Sequence, residues 1–404
     1  MVKGKGVPAI LALLLVLSLL AAIAGCGEET EGVLKIGVSA PLSGPAAPVG
    51  LGMPRGVEIA AAEINDAGGI SVGGTKYTLQ VVSMDDKATS EGGVTVATSF
   101  VADGIKFVVG PIISAAYLGA APTYNNNKVL VQHMCTAFSA TTADKPFGFR
   151  CFAGGVGVLG GFYTWLKQSN FMPGVKNVAF INPDDASGQE LEPSMRAAAT
   201  DNGFNIVLSE FVPRGITDAA SLVLKVLAKN PDLIDMGVIT TGDGSVILKE
   251  LYAQGYKGKI MFSSAQPPET LVKLCGASVV EGVLTWAGDP ESSLVTAGYK
   301  DFYNKYVSKY NEAPMMIAAG SAYDAVYTLK AAILKAGTLD TTTVRDTMAD
   351  MHWDTKLYGP TTWGGQDLFG IKRQILTPVL FAHFQGGKLV TVGITQSKFY
   401  APAN

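Results

Sequence analysis

The chain has 404 residues, with 31 Lys and Arg against 34 Asp and Glu, a net charge of −3, and 16% charged residues. That balance makes no case for nucleic acid, which calls for a clustered basic face. Three scattered histidines (His133, His352, His383) and no CxxC give no metal-ligand spacing, and the length exceeds one typical core, so two domains are expected.

Lys3 and Lys5 precede an apolar run over 7–24, interrupted only by Pro8 and Ser18. Its length approaches a membrane span, but its N-terminal place and small-residue stop read as a cleaved export signal over 1–25. The stop, Ile23-Ala24-Gly25-Cys26, resembles the bacterial lipobox. That resemblance implies lipid on Cys26, an extracytoplasmic location and a membrane contact through the lipid, with residues 26–32 as a polar tether. An anchor helix with an incidental Cys is the competing reading. Removing residues 1–25 leaves 29 basic side chains against 34 acidic. Of the remaining thiols, Cys135 and Cys151 form a disulfide or stay free as buried groups, and Cys275 is left over.

From residue 33 short β-rich runs alternate with amphipathic stretches. Strands are expected at 33–39, 77–82, 107–109 and 129–131, with helices at 56–65, 94–101 and 115–124 between them. A second series follows Arg150: strands at 178–181, 205–208, 233–239 and 260–262, and helices at 159–167, 188–200, 219–228 and 245–253. Long helices at 294–310 and 316–335 and short β-like segments at 378–384 and 388–392 finish the chain. Strand–helix–strand repetition implies an α/β fold of βαβ units with largely parallel sheets. Two such series imply two doubly wound lobes. Ligands bind beyond the C-terminal strand ends of such sheets, and two facing lobes form a cleft that works by closing.

The opening Lys35-Ile-Gly-Val-Ser-Ala-Pro-Leu-Ser-Gly-Pro-Ala-Ala-Pro-Val-Gly50 resembles the first strand and loop of type I periplasmic binding proteins, most closely the leucine/isoleucine/valine-binding group. Ala62-Glu-Ile-Asn-Asp-Ala-Gly-Gly-Ile70, Asp85-Asp86, Gly104-Ile-Lys-Phe-Val-Val-Gly110, residues 232–255 and Leu357-Tyr-Gly-Pro-Thr-Thr-Trp363 fit the same pattern, in order, over about 33–395. The resemblance implies two lobes, 33–151 plus 287–356 and 152–286 plus 357–396, joined by crossovers near Cys151, Trp286 and Leu357. It implies an ABC importer's substrate-binding protein, with permease subunits as partners, no cofactor and no catalytic residues.

The resemblance also marks a site. Ser114 matches the residue that holds a ligand's α-carboxylate, and its place at a helix start independently suits an anion or a helix cap. Thr136 matches a second carboxylate contact, and the Met134 backbone matches a carbonyl offered to an ammonium; Ile113 and Cys135 flank them. The family's acidic partner for the ammonium falls near Ser264, and its aromatic positions near Val49, Ser187 and Thr240, so acid and aromatics are both missing. A buried ammonium without a counter-charge is heavily penalised. The expected ligand is therefore an amine-free aromatic or aliphatic carboxylate, with a branched-chain or other amino acid next if Asp184, Asp185 or Asp243 supplies the acid from a shifted loop. His133 is either a carboxylate donor or a packing residue.

Gly155-Val-Gly157-Val-Leu-Gly160 spells a dinucleotide fingerprint, with Asp184 near the place of a ribose-binding acid. A secreted dinucleotide-dependent oxidoreductase is thus the enzyme alternative, set against an exported protein's lack of free dinucleotide. A sensory ligand-binding protein of the same fold is the other.

Overall fold

The computed structural model describes residues 30–398 and 400. The export signal and Cys26 lie outside the described residues. The tether was expected to reach residue 32, but Thr30 to Gly32 already belong to strand β1 (Thr30–Ala40), paired with a later strand from Thr30↔Thr75 onward. Pairing of their backbone groups overrides the polar composition of that stretch.

The first sheet continues with β2 (Ile70–Val72), β3 (Thr75–Asp85), β4 (Phe107–Val109), β5 (Leu130–His133) and β6 (Gly148–Arg150). The second is built from β7 (Asn177–Pro183), β8 (Asn205–Val212), β9 (Leu233–Asp235), β10 (Lys259–Met261) and β11 (Leu284–Trp286). Then come β12 (His352–Thr355), β13 (Gly359–Gly364), β14 (Gln374–Ile375), β15 (Pro378–Gln385) and β16 (Lys388–Gln396). The first sheet runs β12-β13-β14-β6-β5-β4-β1-β3-β2 and the second β16-β15-β11-β10-β9-β7-β8. Both are parallel at the centre; the first is antiparallel at both margins, the second only at its β15–β16 margin, since β8 pairs parallel with β7.

The central strands are buried on both faces, which is why their sequences are continuous apolar runs. Alternate residues serve opposite layers. Phe107 and Val109 enter one apolar cluster while Val108 enters another, and Val178 and Phe180 oppose Ala179 and Ile181 in the same manner. Helix Gly52–Asp66 buries Met53, Val57, Ala60, Ala61 and Ile64, one helical face, against the first sheet.

The third crossover is corrected by strand pairing. It was expected near Leu357, yet β12, β13 and β14 all join the first sheet, and β14 pairs with β6 through Gln374↔Arg150. The chain passes to the second sheet only between Ile375 and Pro378. Antiparallel hairpin pairing holds 357–375 on the first lobe. The expected helix over 188–200 is broken into Ala186–Gln189 and Glu192–Asp201, and the helix expected from 316 opens with a π turn, Met316–Gly320. Cys135, Cys151 and Cys275 are all free thiols.

Candidate functional site

The glycine fingerprint is absorbed by the fold. Residues 155–160 lie inside helix Gly154–Ser169, so they form no phosphate-cradling loop between strand and helix. Gly160 is needed for packing: a Cβ there would collide with the Lys398 carbonyl. Among the described residues no group of three or more His, Cys, Asp or Glu is placed to hold a metal, and no helix is long and apolar enough to cross a membrane.

The strand ends of both sheets converge on a cavity of about 70 Å³ between the lobes. A larger one of about 490 Å³ lies behind Met315, beside Trp286, Tyr299 and Tyr303. Size alone would favour the latter, but the smaller cavity is where the β4 and β5 ends meet a helix N-terminus, the place where such sheets bind ligands.

On the first-lobe side the wall is made by two loops. After β4, Gly110 turns the chain with φ of 91°, where a side chain would strike the Ser39 carbonyl. The chain then delivers Ile112, Ile113 and Ser114 to the cavity. Ile113 is the N-cap of helix Ser114–Asn126 and supplies no side-chain cap, so the first N–H groups of this 13-residue helix remain open to an anion. Ser114 is therefore the first helical residue and not the cap. Its Oγ accepts from the Ala137 N–H at 3.1 Å, which leaves its own proton to donate. After β5, Met134 and Thr136 face the same space, while the Met134 N–H donates to the Pro111 carbonyl at 2.9 Å.

Neither His133 nor Cys135 lines the cavity: the expected ligand contacts of both are corrected, and His133 takes the packing role that was its alternative reading. Successive residues of an extended segment point to opposite sides: Met134 and Thr136 reach the cavity, His133 and Cys135 the interior. His133 stacks on Tyr117 with centroids 4.3 Å apart. Burial, then the charges of Arg150 and Lys145, lower its pKa well below the usual value, so it is a neutral packing group. The Cys135 thiol donates to the Pro111 carbonyl, and burial pushes its pKa well up.

On the second-lobe side the cavity receives Ser187, Thr240 and Ser264, and Val49 reaches it from the first lobe. Thr240 caps helix Thr241–Ala253 and donates to Asp243 Oδ2 at 2.8 Å. Ser264 Oγ accepts from Gln266 Nε2 at 3.0 Å, and Gln266 Oε1 accepts from Thr241 Oγ1 at 2.8 Å. Of the ten expected contact residues, eight thus line one cavity.

The residue that sequence reasoning missed is Arg214. It lies beyond the end of β8, and that strand was expected to stop at Leu208, too early for Arg214 to be read as a strand-end residue. Its Nε donates to Asp185 Oδ2 at 2.5 Å and its Nη2 to Ser187 Oγ at 3.0 Å. Burial alone would raise the Asp185 pKa; the Arg214 charge and hydrogen bonds from Ser187, Arg214 and Gly188 outweigh it and hold the carboxyl below the usual range. Asp243 Oδ1 accepts from the N–H groups of Gly215 and Ile216 at 2.8 and 3.1 Å, pinning the loop behind Arg214. Asp184 is exposed and accepts from Gln189. None of these three acids lines the cavity. Among the described residues its walls carry no carboxylate and no aromatic ring, and Arg214 is their one charged side chain.

Comparison with known proteins agrees with this architecture. The family model for periplasmic binding proteins matches residues 33–387. A Leu/Ile/Val-binding protein homolog 2 from Brucella abortus is 28% identical over 336 residues, 82% of this chain and 86% of that one. LivJ of Streptococcus pneumoniae, solved with isoleucine, superposes with a TM-score of 0.78 at 21% identity, covering 90% of this chain and all of LivJ. An ABC transporter solute-binding protein from R. palustris, solved with benzoate, gives 0.74 at 19% identity, covering 92% and 98%. With two doubly wound lobes, strand ends converging on the space between them and a family match over most of its length, the chain belongs to the type I periplasmic binding proteins.

Proposed function

We propose that this protein captures an amine-free carboxylate, with an apolar aromatic or aliphatic body, for an ABC importer. It does so outside the cytoplasm, held to the membrane by lipid on Cys26. One observation carries the ligand assignment: the cavity wall holds a single charge, the cation of Arg214, and no acid to meet an ammonium. Ser114, Thr136 and the open helix N-terminus suit a carboxylate at one end. Val49, Ile113, Ile239, Met315 and Ile317 suit an apolar body. The benzoate seen in the R. palustris relative is a ligand of this kind, and the isoleucine of LivJ is the kind that the missing acid disfavours.

A thermal-shift screen tests the reading, because a ligand that binds only the native state raises the melting temperature. Benzoate-type or medium-chain aliphatic acids raise it and leucine does not. A rise with leucine alone would overturn the ligand assignment. For the anchor, Cys26→Ser releases the protein from the membrane fraction; unchanged retention would remove the lipid from the proposal.

A further inference from the structure

We infer that the captured solute is a monocarboxylic acid with an elongated alkyl or phenylalkyl body, which runs past Met315 into the larger cavity. This deepens the carboxylate reading and rests on it. By itself the cavity at Ser114 has a volume of about 70 Å³, well under the roughly 300–1,000 Å³ usual for a small-molecule site. The space behind Met315, about 490 Å³, falls within that range.

The two cavities share three wall residues, Ala265, Gln266 and Met315. Two of them are fixed. Ala265 has only a methyl group, and Gln266 is tied by hydrogen bonds to Thr241 Oγ1 at 2.8 Å, Ser264 Oγ at 3.0 Å and the Ile239 carbonyl at 3.3 Å. Met315 differs from both. Its carbonyl accepts from the Ala318 and Ala319 N–H groups at 2.9 and 2.8 Å, which anchors its backbone. Its thioether side chain is apolar, unbranched and turns about three bonds. Rotation of that one side chain joins the two spaces.

Beyond Met315 the walls suit a hydrocarbon body: Trp286, Tyr299, Tyr303, Met316, Leu389 and Val390 line them. Tyr299 and Tyr303 belong to helix Ala297–Tyr310, packed on the first lobe's core, and Leu389 and Val390 to β16 of the second sheet. A body lying there touches both lobes, and contacts that differ between the open and closed states are what drive closure. Among the described residues, the charged side chains on these walls are Glu269, Asp289 and Glu291 against Lys388. Glu291 is paired with Lys300 at 2.8 Å. Burial, then the charges of Glu269 and Asp289, raise the Tyr303 pKa, so both carboxylates bear on this space. A second carboxylate on the solute would lose its hydration and meet an acidic wall, so the far end of the body is uncharged.

Calorimetric titration of the full chain with butanoate, hexanoate, octanoate and decanoate, and with benzoate, 3-phenylpropanoate and 5-phenylpentanoate, tests this. In at least one series affinity rises about fourfold per added methylene, the worth of burying one. Suberate binds about tenfold or more weakly than octanoate, as desolvating a second charge requires. Val390→Trp fills the larger cavity from a residue that does not line the smaller one, and it flattens the rise with length. Met315→Ile, apolar but stiff at χ1, flattens it from the partition. The wild-type series decides the matter even where a variant folds poorly. Affinity that levels off or falls beyond hexanoate and 3-phenylpropanoate, or a rise that survives Val390→Trp, would overturn the inference while the carboxylate reading stands. Tightest binding of suberate would overturn it in favour of a diacid. Binding of leucine and of none of the acids would overturn the underlying reading as well.

Discussion

Ser139 and Glu190 join the two lobes directly. The Ser139 N–H donates to Glu190 Oε2 at 2.6 Å and its hydroxyl to Oε1 at 2.7 Å, from the loop after β5 to the loop after β7. No ligand atom takes part, so the pair favours closure whether or not a solute is bound.

Removing the pair therefore lowers the closed fraction of the free protein. Apparent affinity scales with that fraction. Screened by solvent, the two hydrogen bonds to this half-buried carboxylate are together worth ~1 kcal/mol, less than one buried bond to a charged group. Glu190→Ala should weaken acid binding about fivefold and enlarge the radius of gyration of the unliganded protein in small-angle scattering. If affinity and radius both stay fixed, the contact does not govern closure.

Ser114 and Thr136 should separate on two readouts. Thr136→Ala weakens acid binding by ~1.5–3 kcal/mol, one lost hydrogen bond to a charged group, with little change in melting temperature. Ser114→Ala loses the same contact and also leaves the Ala137 N–H without its acceptor, so both affinity and melting temperature fall. Calorimetry beside thermal melts checks both, and unchanged affinity in the two variants would place the carboxylate elsewhere.

Asp324 gives the protein a specific pH response. Its carboxylate accepts from the Lys356 and Leu357 N–H groups at 2.7 and 3.3 Å, yet burial outweighs these bonds and pushes its pKa from 3.8 up to about 7. The folded state holds this proton more tightly than the unfolded state. Its contribution is complete below about pH 4 and is lost as pH rises through 7. The stability of the wild type relative to Asp324→Asn should fall between pH 5 and 8 by on the order of 2 kcal/mol, at about 1.4 kcal/mol per pH unit. His133, with its pKa lowered by burial, acts in the opposite sense below pH 6.5 but is common to both proteins and cancels. Urea unfolding at the two pH values checks this; an equal gap at both would contradict a raised Asp324.

Gly160→Ala tests the packing role of the fingerprint glycines. The added methyl meets the Lys398 carbonyl, and overpacking of this kind typically costs about 1–3 kcal/mol. The melting temperature should fall while NAD produces no shift in either protein. A normal melting temperature would show that the C-terminal segment yields without cost.

The strands that could be read in advance were those buried on both faces, because runs such as Phe107-Val-Val109 and Val178-Ala-Phe-Ile181 have no polar alternative. Ser114, Thr136 and Ser264 were named through the family resemblance, and they line the cavity at the C-terminal ends of such strands. The misplacements have separate causes. Cys135 flanks Met134 and Thr136 in sequence, and His133 had two readings, donor or packing residue; alternation sends both inward. Arg214 was hidden by a strand that runs four residues longer than its apolar pattern, through Ser209-Glu-Phe-Val212. The third crossover depended on which strand the two-residue β14 pairs with, and a partner 224 positions away leaves no local trace.

That late strand has a consequence for how the protein is made. Arg150 and Gln374 are neighbours, with Nη1 donating to Oε1 at 3.1 Å, so one margin of the first sheet stays bare until residues 374–375 have been synthesised. Nascent chains emerge N-terminus first, and unpaired strand edges invite wrong partners. For most of its synthesis the protein is thus an unfinished template, and a stop codon anywhere before Gln374 should yield an insoluble fragment instead of a working half.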